Sequence, residues 1–182
     1  MSEFCLETDR LFVRAWREAD RDPFLALNSD PVVMEFLPVT DRAASDDLVD
    51  RLIAAQNRDG CCFWAVERKA DSAFLGFCGL MVPQAPLTEF EIGWRLSHDA
   101  WGHGFASEAA RASLAWGWAN LDAPSIVAIT VPPNHRSRAV MERIGMTYAD
   151  GEDFDYPGLP AGDPLRRHVL YRIARPEWIR PR

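Results

Sequence analysis

Residues 89–120 constrain the fold more tightly than any other part of the chain. From Glu89 to Leu96 the residues alternate, with Phe90, Ile92, Trp94 and Leu96 on one side and Glu89, Glu91, Gly93 and Arg95 on the other. This is the period-two pattern of a strand whose faces meet different surroundings, one apolar and one carrying carboxylates. After the turn Trp101-Gly102-His103-Gly104, a helix is expected from about Phe105 to Asn120, where Ala106, Ala109, Ala110, Ala112 and Ala115 permit close approach to a sheet. Two glycines let the backbone turn sharply, and successive N–H groups at a helix N-terminus form a cradle for a phosphate or pyrophosphate. The same glycines also serve a plain strand-to-helix turn, so the loop alone does not decide. There is no Gly-Lys-Ser/Thr for a Walker loop, and Ser107 stands where a dinucleotide fingerprint wants its third glycine.

The flanking segments extend the pattern. Leu6 to Ala15 reads as a strand, followed by the acidic helix start Glu18-Ala19-Asp20. Asp30-Pro31 predicts a short helix over Val32 to Leu37, ended by Pro38. A longer helix is expected from Asp41 to Arg58, with Ala44, Leu48, Leu52 and Ala55 on one stripe and Gly60 as terminator. Cys62 to Val66 and Ala73 to Val82 form a strand hairpin, the second strand apolar on both faces. Later come a β-branched strand, Ser125 to Val131, a helix from Asn134 to Ile144 ended by Gly145, a strand from Met146, a Pro/Gly-rich loop over Tyr156 to Pro164, and a last strand, Arg167 to Ile173. The expected fold is α/β (α+β): a mixed, mostly antiparallel central sheet of about six to seven strands with helices on both faces.

At 182 residues, 48% hydrophobic and 26% charged, one domain over residues 1–182 is expected, able to bury a core without disulfides or metals. No apolar run approaches a membrane span, and Met1-Ser2-Glu3-Phe4 lacks a signal-like pattern, which predicts a cytoplasmic protein without a membrane partner. A net charge of −7 disfavours nucleic acid. Cys5, Cys61, Cys62 and Cys78 show no ligand-pair spacing and read as thiols; His98 and His168 suggest no metal site either. Trp16 and Trp64 read as core, with a wall of an acceptor pocket as the alternative.

A second segment, Pro133-Asn134-His135-Arg136-Ser137-Arg138-Ala139-Val140-Met141-Glu142-Arg143-Ile144-Gly145-Met146, brings in a resemblance. With the glycine loop it resembles the GNAT N-acetyltransferases, whose Arg/Gln-x-x-Gly-x-Gly/Ala signature and second conserved block it follows. The opening Leu6-Glu7-Thr8-Asp9-Arg10-Leu11, with Val13-Arg14, is similar to the start of the ribosomal-protein (RimJ/RimL-like) branch. The resemblance spans Leu6 to about Arg175.

It implies acetyl-CoA as cosubstrate and a primary amine as acceptor, on a protein N-terminus or a small molecule, with direct attack on the thioester and no metal. The pantetheine arm would pair with the strand end carrying Trp94 and Leu96, and the pyrophosphate would rest on the backbone of Trp101, Gly102, His103, Gly104, Phe105, Ala106 and Ser107, with Asn134 and Ser137 also at the cofactor. Trp101 departs from the family's Arg or Gln, which puts one cation contact in doubt; Arg111, Arg136 and Arg138 are spare cations for the phosphates. Glu91 is the preferred base, with an ordinary exposed strand residue as the alternative; Glu89 shares its face. The tyrosine that many members use as acid falls at Met141, which has no proton to give. Ser137 remains as support for the leaving sulfur, or simply as a first-turn hydroxyl capped by Asn134. The missing tyrosine and the uncharged residue 101 motivate an alternative, a non-catalytic acyl-CoA sensor. Many relatives are dimers, and the acidic surface points slightly toward a basic acceptor.

Overall fold

The computed structural model describes residues 4–38 and 40–175. Its opening segment forms two strands, where one was expected: β1 (Cys5–Glu7) and β2 (Leu11–Arg14), paired antiparallel. Thr8 closes the turn between them. Its amide donates to Leu11 O at 3.0 Å, and its hydroxyl oxygen accepts from Leu11 N at 2.9 Å. A 3₁₀ turn at Glu18–Asp20 leads into α1 (Arg21–Ser29). Buried Asp20 accepts from Arg14 at 2.8 and 2.9 Å and from the Arg17 amide at 2.7 Å, and Glu67 accepts from Arg14 at 2.7 Å, which pins this corner to the sheet.

The helix expected over Val32–Leu37 is absent: residues 31–36 form consecutive turns. The Asp30 carboxylate accepts from Val32 N at 2.8 Å, a local bond that competes with helix formation, and Pro38 limits its extension. α2 (Arg42–Asp59) follows the sequence reading closely. Asp41 caps it by accepting from Ala44 N at 2.8 Å, and Gly60 ends it with φ 75°. Its buried stripe is Ser45, Val49, Leu52 and Ala55, so Ala44 faces solvent.

The remaining elements are β3 (Phe63–Arg68), β4 (Ala73–Met81), β5 (Phe90–Leu96), α3 (Phe105–Asn120), β6 (Ser125–Thr130), α4 (His135–Arg143), β7 (Thr147–Tyr148), β8 (Phe154–Asp155) and β9 (Arg167–Ala174). The order across the sheet is β1-β2-β3-β4-β5-β6-β9-β7, with β8 also on β9. The nine strands exceed the expected six to seven because the opening segment folds as a hairpin and the two-residue β8 is too short to show a period, while β7 is the strand expected from Met146. Every pairing is antiparallel except β5 with β6, which α3 joins as a crossover.

Helices cover both faces. α3 lies on the side of Leu80 and Ile126, so close that a Cβ on Gly117 would stand 2.5 Å from Leu80 Cδ1. On the other face Phe24 of α1 meets Phe77 at 6.0 Å between ring centroids, and Phe63 stacks on Phe77 at 5.3 Å. Trp64 is fully buried between Phe4 and Trp116, and Trp16 is buried with its Nε1 donating to Phe63 O at 2.8 Å. Both tryptophans are therefore core.

Candidate active site

β5 loses its partner on one edge halfway along. β4 pairs with it from Glu91 to Leu96, but β6 pairs only at Phe90 and Glu91. The Ser97 amide donates to Leu75 O at 2.8 Å, so residues 93 and 95 direct their backbone groups toward β4. Trp94 and Leu96 therefore turn theirs toward the gap where β6 diverges. Leu96 O accepts from Trp101 Nε1 at 2.9 Å. Among the described residues, the Trp94 N–H and C=O and the Leu96 N–H have no backbone partner across that gap. An extended ligand with amide groups would complete this edge as an added strand does.

The edge runs into the glycine loop. Gly102 and Gly104 adopt φ 79° and 80°, a region costly for residues with a Cβ, and a Cβ on Gly102 would meet nothing within 4 Å. Gly104 is also the N-cap of α3 and supplies no side-chain cap, which leaves the first-turn amides without an intrahelical partner. The loop is held from behind by Glu108. Its carboxylate accepts from the Thr8 hydroxyl at 2.6 Å, the Arg10 amide at 2.9 Å and Arg10 Nε at 2.7 Å, while Arg10 Nη1 donates to His103 O at 3.0 Å. Desolvation opposes ionisation of Glu108, yet these hydrogen bonds prevail and hold its carboxyl below the usual range. The Thr8-Asp9-Arg10 turn thus acts as a clamp on the loop.

Cations gather on the open side from α4. Arg143 Nη1 donates to Ser107 Oγ at 3.3 Å and its carbonyl accepts from Arg111. Arg136 lies over the Trp101 ring at 4.6 Å and pairs with Glu35 at 2.5 Å. The position without a family cation therefore carries one stacked on it from another element. Arg138 is committed elsewhere, to the Tyr171 hydroxyl at 3.0 Å and Pro132 O at 3.2 Å. Arg143 was not singled out in the sequence because nothing local distinguishes it from a solvated helix arginine.

Glu91 and Glu89, two residues apart on one face, have unlike surroundings. Glu89 accepts from Arg172 at 2.7 Å and from the Ser125 hydroxyl, and the Arg172 bond is the chief reason its carboxyl is held below the usual range. It is a structural anchor between β5, β6 and β9, not a free base. Glu91 is half-buried, with no hydrogen bond or ion pair to its carboxylate among the described residues, and desolvation pushes it up to about 7.

At the start of α4, Asn134 Oδ1 accepts from Ser137 N at 3.1 Å and its Nδ2 donates to Thr130 Oγ1 at 3.0 Å. The asparagine side chain is thus spent on capping and on β6. Ser137 is half-buried and its hydroxyl has no partner among the described residues; Met141 is buried in the core. Cys61, Cys62 and Cys78 are buried and desolvation raises all three, to about 11 for Cys61, which keeps them protonated thiols. Among the described residues no cluster of His, Cys, Asp or Glu could hold a metal ion, and no helix is long and apolar enough to cross a membrane.

Comparison with known proteins agrees with this geometry. Residues 10–147 match the acetyltransferase (GNAT) domain family. The uncharacterized protein YkkB of Bacillus subtilis is 33% identical over 79% of this chain and 86% of its own length. The acetyltransferase of Agrobacterium tumefaciens superposes with a TM-score of 0.78 at 27% identity, covering 96% of each chain. The ribosomal L7/L12 acetyltransferase RimL, solved with coenzyme A, shares the fold at 17% identity, with a TM-score of 0.77 over 94% of this chain and 98% of its own. The chain belongs to the GNAT acetyltransferase family, and ribosomal-protein acetyltransferases are among its structural neighbours.

Proposed function

We propose that this protein transfers an acetyl group from acetyl-CoA to a primary amine by direct attack on the thioester. The observation that carries the reading is the alignment of three features along β5: a desolvated Glu91, an unpaired backbone edge at Trp94 and Leu96, and the uncapped amides of residues 102–107. The groove fits acetyl-CoA in its donors. Backbone amides and the nearby guanidinium of Arg143 suit a pyrophosphate, and a free strand edge suits the amide-bearing arm. Bound there, acetyl-CoA supplies an activated acyl carbon and a thiolate leaving group.

An ammonium must lose a proton before it attacks, and a base near neutrality takes it most effectively. Glu91, at about 7, is ionised in a useful fraction at physiological pH and is still basic enough to accept a proton, directly or through water. As the new C–N bond forms and the C–S bond breaks, the departing sulfur needs a proton. The Ser137 hydroxyl supports it, since Met141 has none to give and is buried. The cofactor side is then Trp94, Leu96, residues 101–107 and the α4 start at Asn134 and Ser137, with Asn134 acting through the cap it provides.

The test is calorimetric titration with acetyl-CoA and with CoA, followed by thiol release against a panel of amines. Binding with amine-dependent release, lost in Glu91→Gln with cofactor affinity kept, supports the assignment. Binding without release from any amine points to an acyl-CoA sensor, and absence of binding overturns the reading of the loop.

A further inference from the structure

Arg95 lies two residues beyond Gly93 on the same face of β5 as Glu91, and it is a half-buried cation without an anion among the described residues. Its Nη1 donates to Asn28 Oδ1 at 2.6 Å, and its guanidinium lies 5.3 Å from the Phe77 ring centroid. No ion pair reaches it among the described residues, and its Nε is out of contact with solvent and without a hydrogen-bond partner. Asn28 is itself fully buried and turned by its own bond to Ser45 Oγ at 3.0 Å, so the amide that holds Arg95 is fixed by α1 and α2. Desolvation depresses Arg95, to about 10.

This is unusual in a chain with a net charge of −7, where the buried Arg14 is ringed by Asp20 and Glu67. A partly desolvated charge without a counter-ion is costly, and an anion arriving from outside would relieve that cost. The guanidinium nitrogen left accessible and without a partner among the described residues is Nη2, which can donate a charge-assisted hydrogen bond to a carboxylate oxygen. The Phe63 ring stands over Gly93, between the two charged residues: a Cβ on Gly93 would be 2.7 Å from it. A strand rise of about 3.3 Å per residue separates the Cα atoms of Glu91 and Arg95 by about 13 Å, a span for an acceptor whose amine and carboxylate lie several atoms apart.

We infer that Arg95 is a specificity residue for acceptors that carry a carboxylate several atoms from the reacting amine, the carboxylate accepting from Nη2 while the amine lies at Glu91. The inference rests on the transferase reading above and names the acceptor class for that site. It runs against the slight preference for basic acceptors suggested by overall charge, because a local, partly desolvated cation outweighs a screened surface field at contact distance.

The experiment is thiol release from acetyl-CoA with matched acceptors, amino acids and dipeptides each as free acid and as C-terminal amide, for the wild type, Arg95→Met and Arg95→Lys. The wild type is expected to favour acids over amides by about tenfold or more in kcat/KM, the scale of one charge-assisted hydrogen-bonded pair. In Arg95→Met that ratio should fall toward one with the KM for acetyl-CoA unchanged, and Arg95→Lys should recover part of it. Equal turnover of acids and amides by the wild type overturns the inference without needing any variant. So does a variant in which both acceptor classes lose rate equally, which would mark Arg95 as a structural tie to Asn28. Thiol release from no amine at all sinks the transferase reading itself, and the inference falls with it.

Discussion

Glu91→Gln is expected to stabilise the protein above neutral pH while removing the base. In the folded chain burial holds this carboxyl at about 7, against an ordinary value of 4.5. The folded state therefore keeps the proton more tightly than the unfolded state. Below pH 4.5 both are protonated and burial of the neutral acid costs little. As pH rises from 4.5 to about 7 the unfolded chain ionises first, so stability falls through that window and stays lower at pH 8. A shift of this size corresponds to at most about 3 kcal/mol, and since Glu91 is only half-buried we expect about 1–3 kcal/mol. For a chain of this length that is a rise of several degrees, at roughly 2–4 °C per kcal/mol. Glutamine is neutral at every pH and of nearly the same shape, so the gain should appear at pH 8 and vanish near pH 4.5. Thermal unfolding of both proteins, followed by circular dichroism at the two pH values, reads this directly. Equal midpoints at pH 8, or the same gain at both pH values, would refute the desolvation argument.

The rate should move the opposite way: wild-type kcat/KM is expected to rise about tenfold per pH unit up to about 7 and then level, and Glu91→Gln to lose roughly 10²–10⁴-fold, both measurable by thiol release. Glu108→Ala removes the clamp from Thr8 and Arg10 and should raise the KM for acetyl-CoA about tenfold, with a smaller effect on the rate at saturation; a change confined to the acceptor KM would contradict the clamp. Asp20→Asn takes one carboxylate from the buried Arg14 and should destabilise by about 3–5 kcal/mol in urea unfolding, since Arg14 is left incompletely paired. Ser137→Ala separates two roles: loss of kcat with acetyl-CoA affinity kept fits support of the leaving sulfur, whereas an unchanged kcat assigns the hydroxyl to the helix start alone.

What was legible in the sequence was local. The bounds of α3 follow from a run of small residues begun by a glycine and an aromatic, and the end of α2 from Gly60, because each depends on neighbours within a turn or two. The helix expected over Val32–Leu37 failed on an equally local feature, the Asp30 carboxylate accepting from Val32 N, which Asp-Pro also advertises but which reads the same as a helix cap until the next turn is seen. The hairpin at Thr8 was hidden because alternation continues across it.

The groups that set the chemistry are of another kind. Glu89 and Glu91 are indistinguishable by periodicity; β9, far along the chain, delivers Arg172 to one and nothing to the other. Thr8 and Arg10 become part of the loop only because Glu108, about a hundred positions away, folds onto them. Arg95 in sequence is one more strand arginine on a polar face. It stands out once Asn28 and Phe77 enclose it and no acid comes with them. Along β5, then, side chains of like pattern are sorted by what the sheet and helices bring to each: a counter-ion for Glu89, desolvation without a partner for Glu91, and for Arg95 an amide on Nη1 with Nη2 left open. The absence of a counter-ion among the described residues at the last position is the physical reason to look for one on the acceptor.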